Sequence, residues 1–209
     1  MKTGLHNSTP KNGKQLLKGV EKADSLTVDP HKWFYQPYEM GCLLVRNHKW
    51  LSGTFTEVPE YLKDVEGNSS EINFYDHGIQ LTRRFRALKF YMSIKTFGLK
   101  AFREAVQYNF DLCEKVESIL RKSKKWEVVS PATLAVINFR YNPIDQNLSE
   151  QELDALNTKI SEGVVNSREA MLVTTILNGQ TVLRMCLINP RTTLADVEET
   201  IALCESMAE

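Results

Sequence analysis

The sequence predicts an α/β protein, on three observations. Two short apolar runs, at residues 25–28 and 41–46, have the length and composition of strands. From residue 82 to residue 122 the apolar side chains recur at helical spacing. The remaining residues alternate strand-like and helix-like segments. We therefore expect a fold in which helices pack on sheets.

Composition and charge exclude several classes of protein. The 209 residues are 42% hydrophobic and 25% charged, as in an ordinary globular protein. The formal net charge is zero, which favours neither nucleic acid nor an anionic membrane as a partner. Residues 1–10 have no apolar core of a signal peptide, and no run reaches the length of a membrane span. We expect a cytoplasmic protein.

Cysteine and histidine spacing predicts no metal site. The four cysteines form no C-x-x-C pair, and the four histidines lack the spacing of metal ligands. Cys42, Cys186 and Cys204 lie in apolar stretches, so we predict that they are small core residues.

The first eighty residues predict strands and a long loop. Residues 1–24 are polar and fit a loop with one helical turn. The runs at 25–28 and 41–46 are almost continuously apolar, which is typical of strands in a sheet covered on both faces. Residues 47–49 are predicted as a turn. Residues 51–80 contain many breakers, and we interpret them as a long functional loop.

A helical pair follows that loop. Thr82 is the predicted N-cap of the first helix, and Gly98 is predicted to stop it. Its apolar stripe consists of Leu81, Phe85, Leu88 and Met92. The second helix is predicted over residues 99–122, and the basic run 121–125 is interpreted as its solvated end.

The last third predicts a small α+β unit. Its four predicted strands are residues 126–129, 134–140, 171–177 and 181–188. Ser130-Pro131 separates the first two strands, and Asn178-Gly179 joins the last two in a tight hairpin. Ser149 and Glu152 form a capping-box pattern, and Thr193 begins a final helix.

Lys32 is the first candidate for chemistry. Pro30 ends the strand before it, which leaves the lysine on a turn at the carboxyl end of that strand. The aromatic residues that follow (Trp33, Phe34, Tyr35 and Tyr38) are predicted to exclude water from the amine. A desolvated lysine is a nucleophile for carbonyl compounds. The alternative is a solvated lysine, because the tripeptide His48-Lys49-Trp50 repeats the same residues in what resembles a plain surface loop.

Arg184 is the second candidate. An arginine in the middle of an apolar strand must find a partner or face solvent, and its planar fork suits a carboxylate. Both alternatives remain open from the residues alone.

Longer strings carry a family resemblance. Residues 24–33, Asp-Ser-Leu-Thr-Val-Asp-Pro-His-Lys-Trp, are followed by Gln36-Pro37-Tyr38 and by Gly-Cys-Leu-Leu-Val-Arg at residues 41–46. Together they resemble the group II pyridoxal 5'-phosphate (PLP)-dependent amino-acid decarboxylases, which include the aromatic-amino-acid, histidine and glutamate decarboxylases. The resemblance continues through residues 80–89 and 183–191. It covers nearly all of this chain but only about the carboxyl-terminal half of the family.

The resemblance implies a fold and a domain organisation. Residues 1–80 would be a remnant of the PLP-binding large domain of a fold-type-I enzyme, with the lysine turn and an active-site loop. Residues 81–124 would be linking helices, and residues 125–209 the small carboxyl-terminal α+β domain. Family members bind the pyridinium nitrogen with a His-x-Asp-Ala-Ala segment that has no counterpart here. We therefore expect the isolated chain to be inactive because the amino-terminal half is missing, and we expect a homodimer or a complementing amino-terminal half as its protein partner.

The resemblance also implies residue roles. Lys32 would carry PLP as an internal aldimine, and His31 would reach the cofactor phosphate. Asp29 would hold the turn. Arg184 would bind the carboxylate of an L-amino acid that loses CO2, and Tyr75 would reprotonate the α-carbon from a mobile loop. The chain has two alternative functions: a non-catalytic remnant that associates with a complete partner, or another fold-type-I PLP enzyme. For Tyr75 the alternative is a packed loop residue without a catalytic role.

Overall fold

The computed structural model describes residues 13–57 and 72–209, and it confirms the mixed α/β class. The chain divides into two compact units near residue 97: the first is Leu17–Thr96, and the second contains Phe97–Glu209. Among the helices that are described, none combines the length and apolar character needed to cross a membrane.

The elements of the amino-terminal part are short. In chain order they are α1 (Gly13–Leu16), a 3-10 turn (Val20–Lys22), β1 (Ser25–Val28), α2 (Pro30–Trp33), β2 (Cys42–Val45), α3 (Lys49–Phe55) and a second 3-10 turn (Phe74–His77). Both predicted strands and the helical turn before them are confirmed.

Strands β1 and β2 form a two-stranded antiparallel ribbon, in which Leu26 pairs with Leu44. Leu26, Leu43 and Leu44 remain 38%, 53% and 55% exposed. The prediction of a sheet covered on both faces is therefore wrong for the described residues, because these two strands pair only with each other there.

Helix α3 occupies residues for which the sequence predicted a turn and an irregular loop. Its first residue, Lys49, donates its backbone N–H to Asn47 Oδ1 at 3.1 Å, and this bond satisfies one of the unpaired N–H groups of a helix start. The predicted long loop is therefore wrong over residues 51–55. Its middle part, residues 58–71, lies outside the described residues.

Helix α4 (Arg86–Lys122) is interrupted at Gly98, where φ is 75° and ψ is 154°. The predicted stop at Gly98 is confirmed, since glycine adopts this backbone without a steric penalty. Thr82 is not the N-cap, because the helix begins only at Arg86. The preceding segment makes other bonds, including that of the Arg83 guanidinium to the Phe74 carbonyl oxygen. The predicted apolar stripe is exposed at all four positions, Leu81, Phe85, Leu88 and Met92.

The second unit is built on one four-stranded antiparallel sheet in the order β3-β4-β6-β5. Its elements are β3 (Trp126–Thr133), β4 (Val136–Tyr141), α5 (Glu150–Ser167), β5 (Val173–Leu177), β6 (Gln180–Cys186) and α6 (Leu194–Ala208). Helix α5 contacts both β6 and α6. The fully buried side chains include Leu120, Ile137, Phe139, Ile160, Val164 and Leu183.

The first hairpin of this sheet turns later than predicted. Strand β3 continues through Ser130 and Pro131, with register shifts on both sides of Ser130. Because β3 is an edge strand, the missing N–H of Pro131 need not break the ladder. The chain turns instead at Leu134 and Ala135, whose φ angles are 50° and 57°. The predicted separation at Ser130-Pro131 is wrong.

The second hairpin and the helix starts agree with the sequence. Asn178 and Gly179 have φ angles of 53° and 81°, as a tight hairpin turn requires. The Ser149 hydroxyl accepts a bond from the Glu152 N–H, and the Glu152 carboxylate accepts one from the Ser149 N–H, which confirms the capping box. Thr193 caps α6 in the same way, through Asp196.

Asn157 of α5 replaces a missing strand partner for Tyr141. Strand β4 pairs with β6 only as far as Phe139. Beyond that point the side chain of the fully buried Asn157 accepts from Tyr141 N–H at 2.7 Å and donates to Tyr141 C=O at 3.1 Å. The amide thereby satisfies both backbone groups of one buried residue.

We predict that Asn157→Leu lowers the free energy of unfolding of this unit by about 2–4 kcal/mol, because it leaves two buried backbone groups unpaired. Urea unfolding followed by circular dichroism measures this change. The control is Asn166→Leu on the exposed side of the same helix, for which we expect less than about 0.5 kcal/mol. Equal losses in the two variants would contradict this account.

Candidate functional site

Lys32 lies on the single helical turn α2, directly after β1. Asp29 is the N-cap residue and Pro30 occupies the first helical position, where its fixed φ suits a helix start. The Lys32 N–H donates to the Asp29 carbonyl oxygen at 2.9 Å, and the Gln36 N–H donates to that of Pro30 at 3.1 Å. The sequence Asp-Pro therefore places the lysine on a tight turn.

The imidazole of His31 ties this turn to Met40, two residues before β2. Its Nδ1 atom lies 2.7 Å from the carbonyl oxygen and 3.2 Å from the amide nitrogen of the buried Met40. Either neutral tautomer therefore forms a bond: Nδ1–H donates to the oxygen, or Nδ1 accepts from the N–H. In the second tautomer Nε2 carries the proton and is a donor for an anion. The ring also meets Tyr38 edge-on at 5.3 Å.

The Lys32 ammonium pairs with the carboxylate of Asp29. The Nζ to Oδ2 distance is 2.7 Å, and the two side chains are 56% and 38% exposed. The hydrogen bond from Lys32, with smaller contributions from the charges of Lys32 and His31, holds the pKa of Asp29 below its ordinary value. This carboxyl group is therefore charged at neutral pH.

The prediction that aromatic side chains exclude water from Lys32 is wrong in the described residues, because the Lys32 side chain is 56% exposed. Phe34 packs against Phe90 with ring centroids 4.9 Å apart. Tyr38 is 86% exposed. The amine of Lys32 is consequently in contact with solvent.

The start of α4 anchors the loop that follows the lysine turn. Lys89 Nζ donates to the carbonyl oxygens of Pro37, at 2.6 Å, and Glu39, at 2.9 Å. Arg86 forms an ion pair with the Glu39 side chain, which lowers the pKa of that carboxyl group. Ser93 donates to the Gln36 side chain at 3.1 Å. Sequence reasoning named none of these pairings, which join positions about fifty residues apart.

An open groove adjoins the anchored loop. Its volume is about 450 Å³, and its lining includes Tyr38, Glu39, Arg84, Phe85, Leu88 and Lys89. The lining combines cationic, anionic and apolar side chains.

Tyr75 lies in the 3-10 turn Phe74–His77 and is half-buried. The turn is held at both ends: Arg83 donates to the Phe74 carbonyl oxygen at 3.1 Å, and His77 Nδ1 lies 3.1 Å from the Asn73 carbonyl oxygen. Tyr75 therefore belongs to the same unit as Lys32.

Arg184 lies in β6, in the second unit, opposite Asn138 of β4 and Val173 of β5. Its side chain is exposed, and no ion pair joins it to the described residues. Arg184 is thus available to a ligand anion, and its role stays a prediction.

Arg140 is the arginine that the strand pattern did not single out. Its side chain is only 4% exposed and donates at 2.7 Å to both Glu127 and Glu150. Hydrogen bonds from Arg140 are the largest influence on Glu150 and lower the pKa of that carboxyl group. A charge this deeply buried with two partners has a structural role in the sheet.

Two cysteines fill the core. Cys113 and Cys204 are buried, Cys42 is half-buried and Cys186 is exposed. The prediction of a core position is confirmed for Cys204 and wrong for Cys186. Burial raises the pKa of the Cys204 thiol to about 12, so it is unreactive. The described side chains contain no cluster of His, Cys, Asp and Glu that could hold a metal ion.

The family model described as the pyridoxal-dependent decarboxylase conserved domain matches residues 9–142, a range that includes the lysine turn and Tyr75. The chain belongs to the pyridoxal-dependent decarboxylase family. It is 46% identical over 198 residues to an aromatic-L-amino-acid decarboxylase of Bacillus atrophaeus, an alignment that covers 94% of this chain and 41% of that relative. Identity to tyrosine decarboxylase 4 of Petroselinum crispum is 33% over 196 residues, covering 90% and 37%.

Solved structures of this family share the fold. The Oryza sativa enzyme TDC, solved with PLP and tryptamine, matches with a TM-score of 0.86 and 28% identity, covering 93% of this chain and 40% of that one. Mouse CSAD matches with a TM-score of 0.83 at 19% identity, covering 95% and 43%, and this second likeness concerns the fold alone. The chain therefore spans about 40% of the length of the relatives it matches.

Proposed function

We propose that this chain supplies the lysine-bearing part of a PLP-dependent decarboxylase that acts on aromatic L-amino acids. The observation that carries the proposal is the Lys32 turn, which lies inside the family match and presents an accessible primary amine. The identity of 46% to an aromatic-L-amino-acid decarboxylase supports the substrate class.

The residues of the turn fit an anionic aldehyde cofactor. Lys32 offers an amine that can bond covalently to the aldehyde carbon. His31, held by the backbone of Met40, offers an Nε2–H donor to a phosphate oxygen in one of its tautomers. When bound, PLP supplies the electron sink that stabilises negative charge on the substrate α-carbon.

Two further residues have proposed roles in the reaction. Arg184 is exposed and lacks an ion-pair partner in the described chain, so its guanidinium is available to bind the substrate carboxylate with two parallel hydrogen bonds. The phenol of Tyr75, on its anchored 3-10 turn, would hold the proton that returns to the α-carbon. In this proposal Arg184 binds the substrate and Tyr75 transfers the proton.

The activity is proposed for an assembly that contains the rest of the family fold, because the chain spans only 41% of its Bacillus relative. Exposed apolar side chains support this requirement: Leu43 and Leu44 of the ribbon and Phe85 of α4 are all more than half exposed. Apolar surface of this kind normally contacts another protein surface. A second copy of the chain or a complementing polypeptide would cover it.

Aldehyde formation is the second candidate function. The relatives include phenylacetaldehyde synthases of a Rosa hybrid cultivar and of Arabidopsis thaliana, at 28% and 27% identity. The products distinguish the two functions: an assay with phenylalanine, tyrosine and tryptophan should yield CO2 with the corresponding amine, whereas an aldehyde product would favour the second function.

We predict that borohydride fixes PLP onto Lys32 when this chain is co-assembled with the non-matching part of the Bacillus atrophaeus relative. Peptide mapping by mass spectrometry locates the label. Lys32→Arg should abolish labelling, because a guanidinium does not condense with the aldehyde. Lys49→Arg, in the second copy of the tripeptide, is the matched control and should leave labelling intact. A label on Lys49 would show that the assignment is wrong.

We predict that Arg184→Lys in the same assembly raises KM about tenfold or more while cofactor absorbance is unchanged. A lysine is a point charge and cannot reproduce the two parallel bonds, whose loss costs about 1.5–3 kcal/mol. Arg191→Lys, at another exposed arginine of the same unit, is the control and should leave KM unaltered. If both variants keep the KM of the parent, Arg184 only faces solvent.

A further inference from the structure

Two copies of the tripeptide His-Lys-Trp occur in the first unit, and they differ in the charge that precedes them. His31-Lys32-Trp33 lies in α2, and His48-Lys49-Trp50 spans the start of α3. Three residues before the lysine, the first copy has Asp29 and the second has Arg46. Asp29 is the N-cap of α2, one turn from Lys32, whereas Arg46 lies outside α3, which begins at Lys49.

Of the two tripeptide lysines, only Lys32 is paired with a carboxylate in the described chain. Lys32 Nζ donates to Asp29 Oδ2 at 2.7 Å. The guanidinium of Arg46 instead donates to the carbonyl oxygens of Glu21 and Ala23. Asp29 makes no side-chain capping bond at the start of α2, although it occupies the N-cap position. Its carboxylate is therefore committed to the lysine and does not cap the helix.

We propose that Asp29 is a positioning residue that controls cofactor loading, because its carboxylate holds Lys32 Nζ against its own turn in an ion pair. The proposal rests on the proposed cofactor role of Lys32. For loading, the ammonium ion loses one proton to solvent and leaves Asp29. The Nζ lone pair would then bond to the aldehyde carbon, and the aldehyde oxygen would leave as water with the two protons that remain on Nζ. Breaking the ion pair is thus part of the loading step.

The ion pair would limit the reaction of this accessible amine with other aldehydes. Lys32 is more than half exposed, so solvent exclusion does not protect it. In the ion pair Lys32 Nζ is directed at the Asp29 carboxylate rather than at an incoming aldehyde. A cofactor bound through its phosphate would compete with this ion pair because its aldehyde is held nearby, whereas a dilute aldehyde in solution would not.

The test is competitive acetylation of the 209-residue chain with a trace of acetic anhydride, in which peptide mapping gives the ratio of label on Lys32 to label on Lys49. Asp29→Asn keeps the size of the side chain but removes its charge. We expect the ratio to rise about twofold to fivefold, the size of effect that an exposed ion pair produces. Asp29→Glu should restore the parent ratio, because the longer carboxylate still reaches the amine.

A second measurement needs no substitution. Raising the salt concentration from about 0.05 M to about 1 M screens an exposed ion pair. In the parent chain it should raise the Lys32 to Lys49 ratio, and in Asp29→Asn it should not. An unchanged ratio in both measurements overturns the proposal, whether or not the assembled protein binds PLP.

The loading step has its own readout. The rate at which PLP absorbance changes when the cofactor is added to the co-assembled protein should rise in Asp29→Asn by the same factor as the acetylation ratio. A raised ratio without faster loading overturns the loading role. Borohydride labelling of a lysine other than Lys32 would instead refute the proposed function, and the acetylation ratio would still report on the ion pair.

Discussion

The contact between the His31 ring and the backbone of Met40 is the interaction on which the candidate site depends. It closes the loop between β1 and β2, and Nδ1 lies within hydrogen-bond distance of both the carbonyl oxygen and the amide nitrogen of Met40. Because Lys32 is the next residue, fixing the imidazole also fixes the origin of the lysine side chain. The start of α4 reinforces the same loop through Lys89 and Arg86.

The lysine turn has a fixed backbone and an exposed amine, the two properties that the proposed cofactor role of Lys32 requires. The backbone of the turn is rigidly held, through Pro30, His31 and Met40. The amine itself is exposed and held only by Asp29, in a contact that is weak enough to be displaced. A lysine on such a turn is positioned without being sequestered, which suits a residue that exchanges a covalent bond with its cofactor.

Local signals in the sequence predicted much of the fold. The capping box at Ser149 and the hairpin at Asn178-Gly179 depend on residues close together in the chain, so a short window contains the whole cause. Pro131 misled the strand prediction because its effect depends on β3 being an edge strand, which only the sheet order reveals. Thr82 failed as an N-cap because distant contacts hold the residues before Arg86.

Charged residues show the same limit. An arginine within an apolar strand was expected to find a partner or to face solvent, and that argument pointed to Arg184. The strand arginine that has ion-pair partners is instead Arg140, which pairs with Glu127 of another strand and with Glu150 at a helix start. The Lys32 to Asp29 pair could have been predicted from the sequence if the Asp-Pro turn had been recognised as helical, because the two residues are then one turn apart. Pairings such as Arg86 with Glu39 can be predicted only when the fold is known.

The central claim is that contacts within residues 17–96 hold the lysine turn. Amide hydrogen exchange of the purified chain, resolved by mass spectrometry for residues 24–46 and separately for residues 126–186, tests it most directly. The account predicts protection in residues 24–46, where Gln36, Arg46 and the paired amides of β1 and β2 donate hydrogen bonds. Exchange of residues 24–46 at the rate of an unfolded peptide, while the sheet in residues 126–186 stays protected, would contradict it.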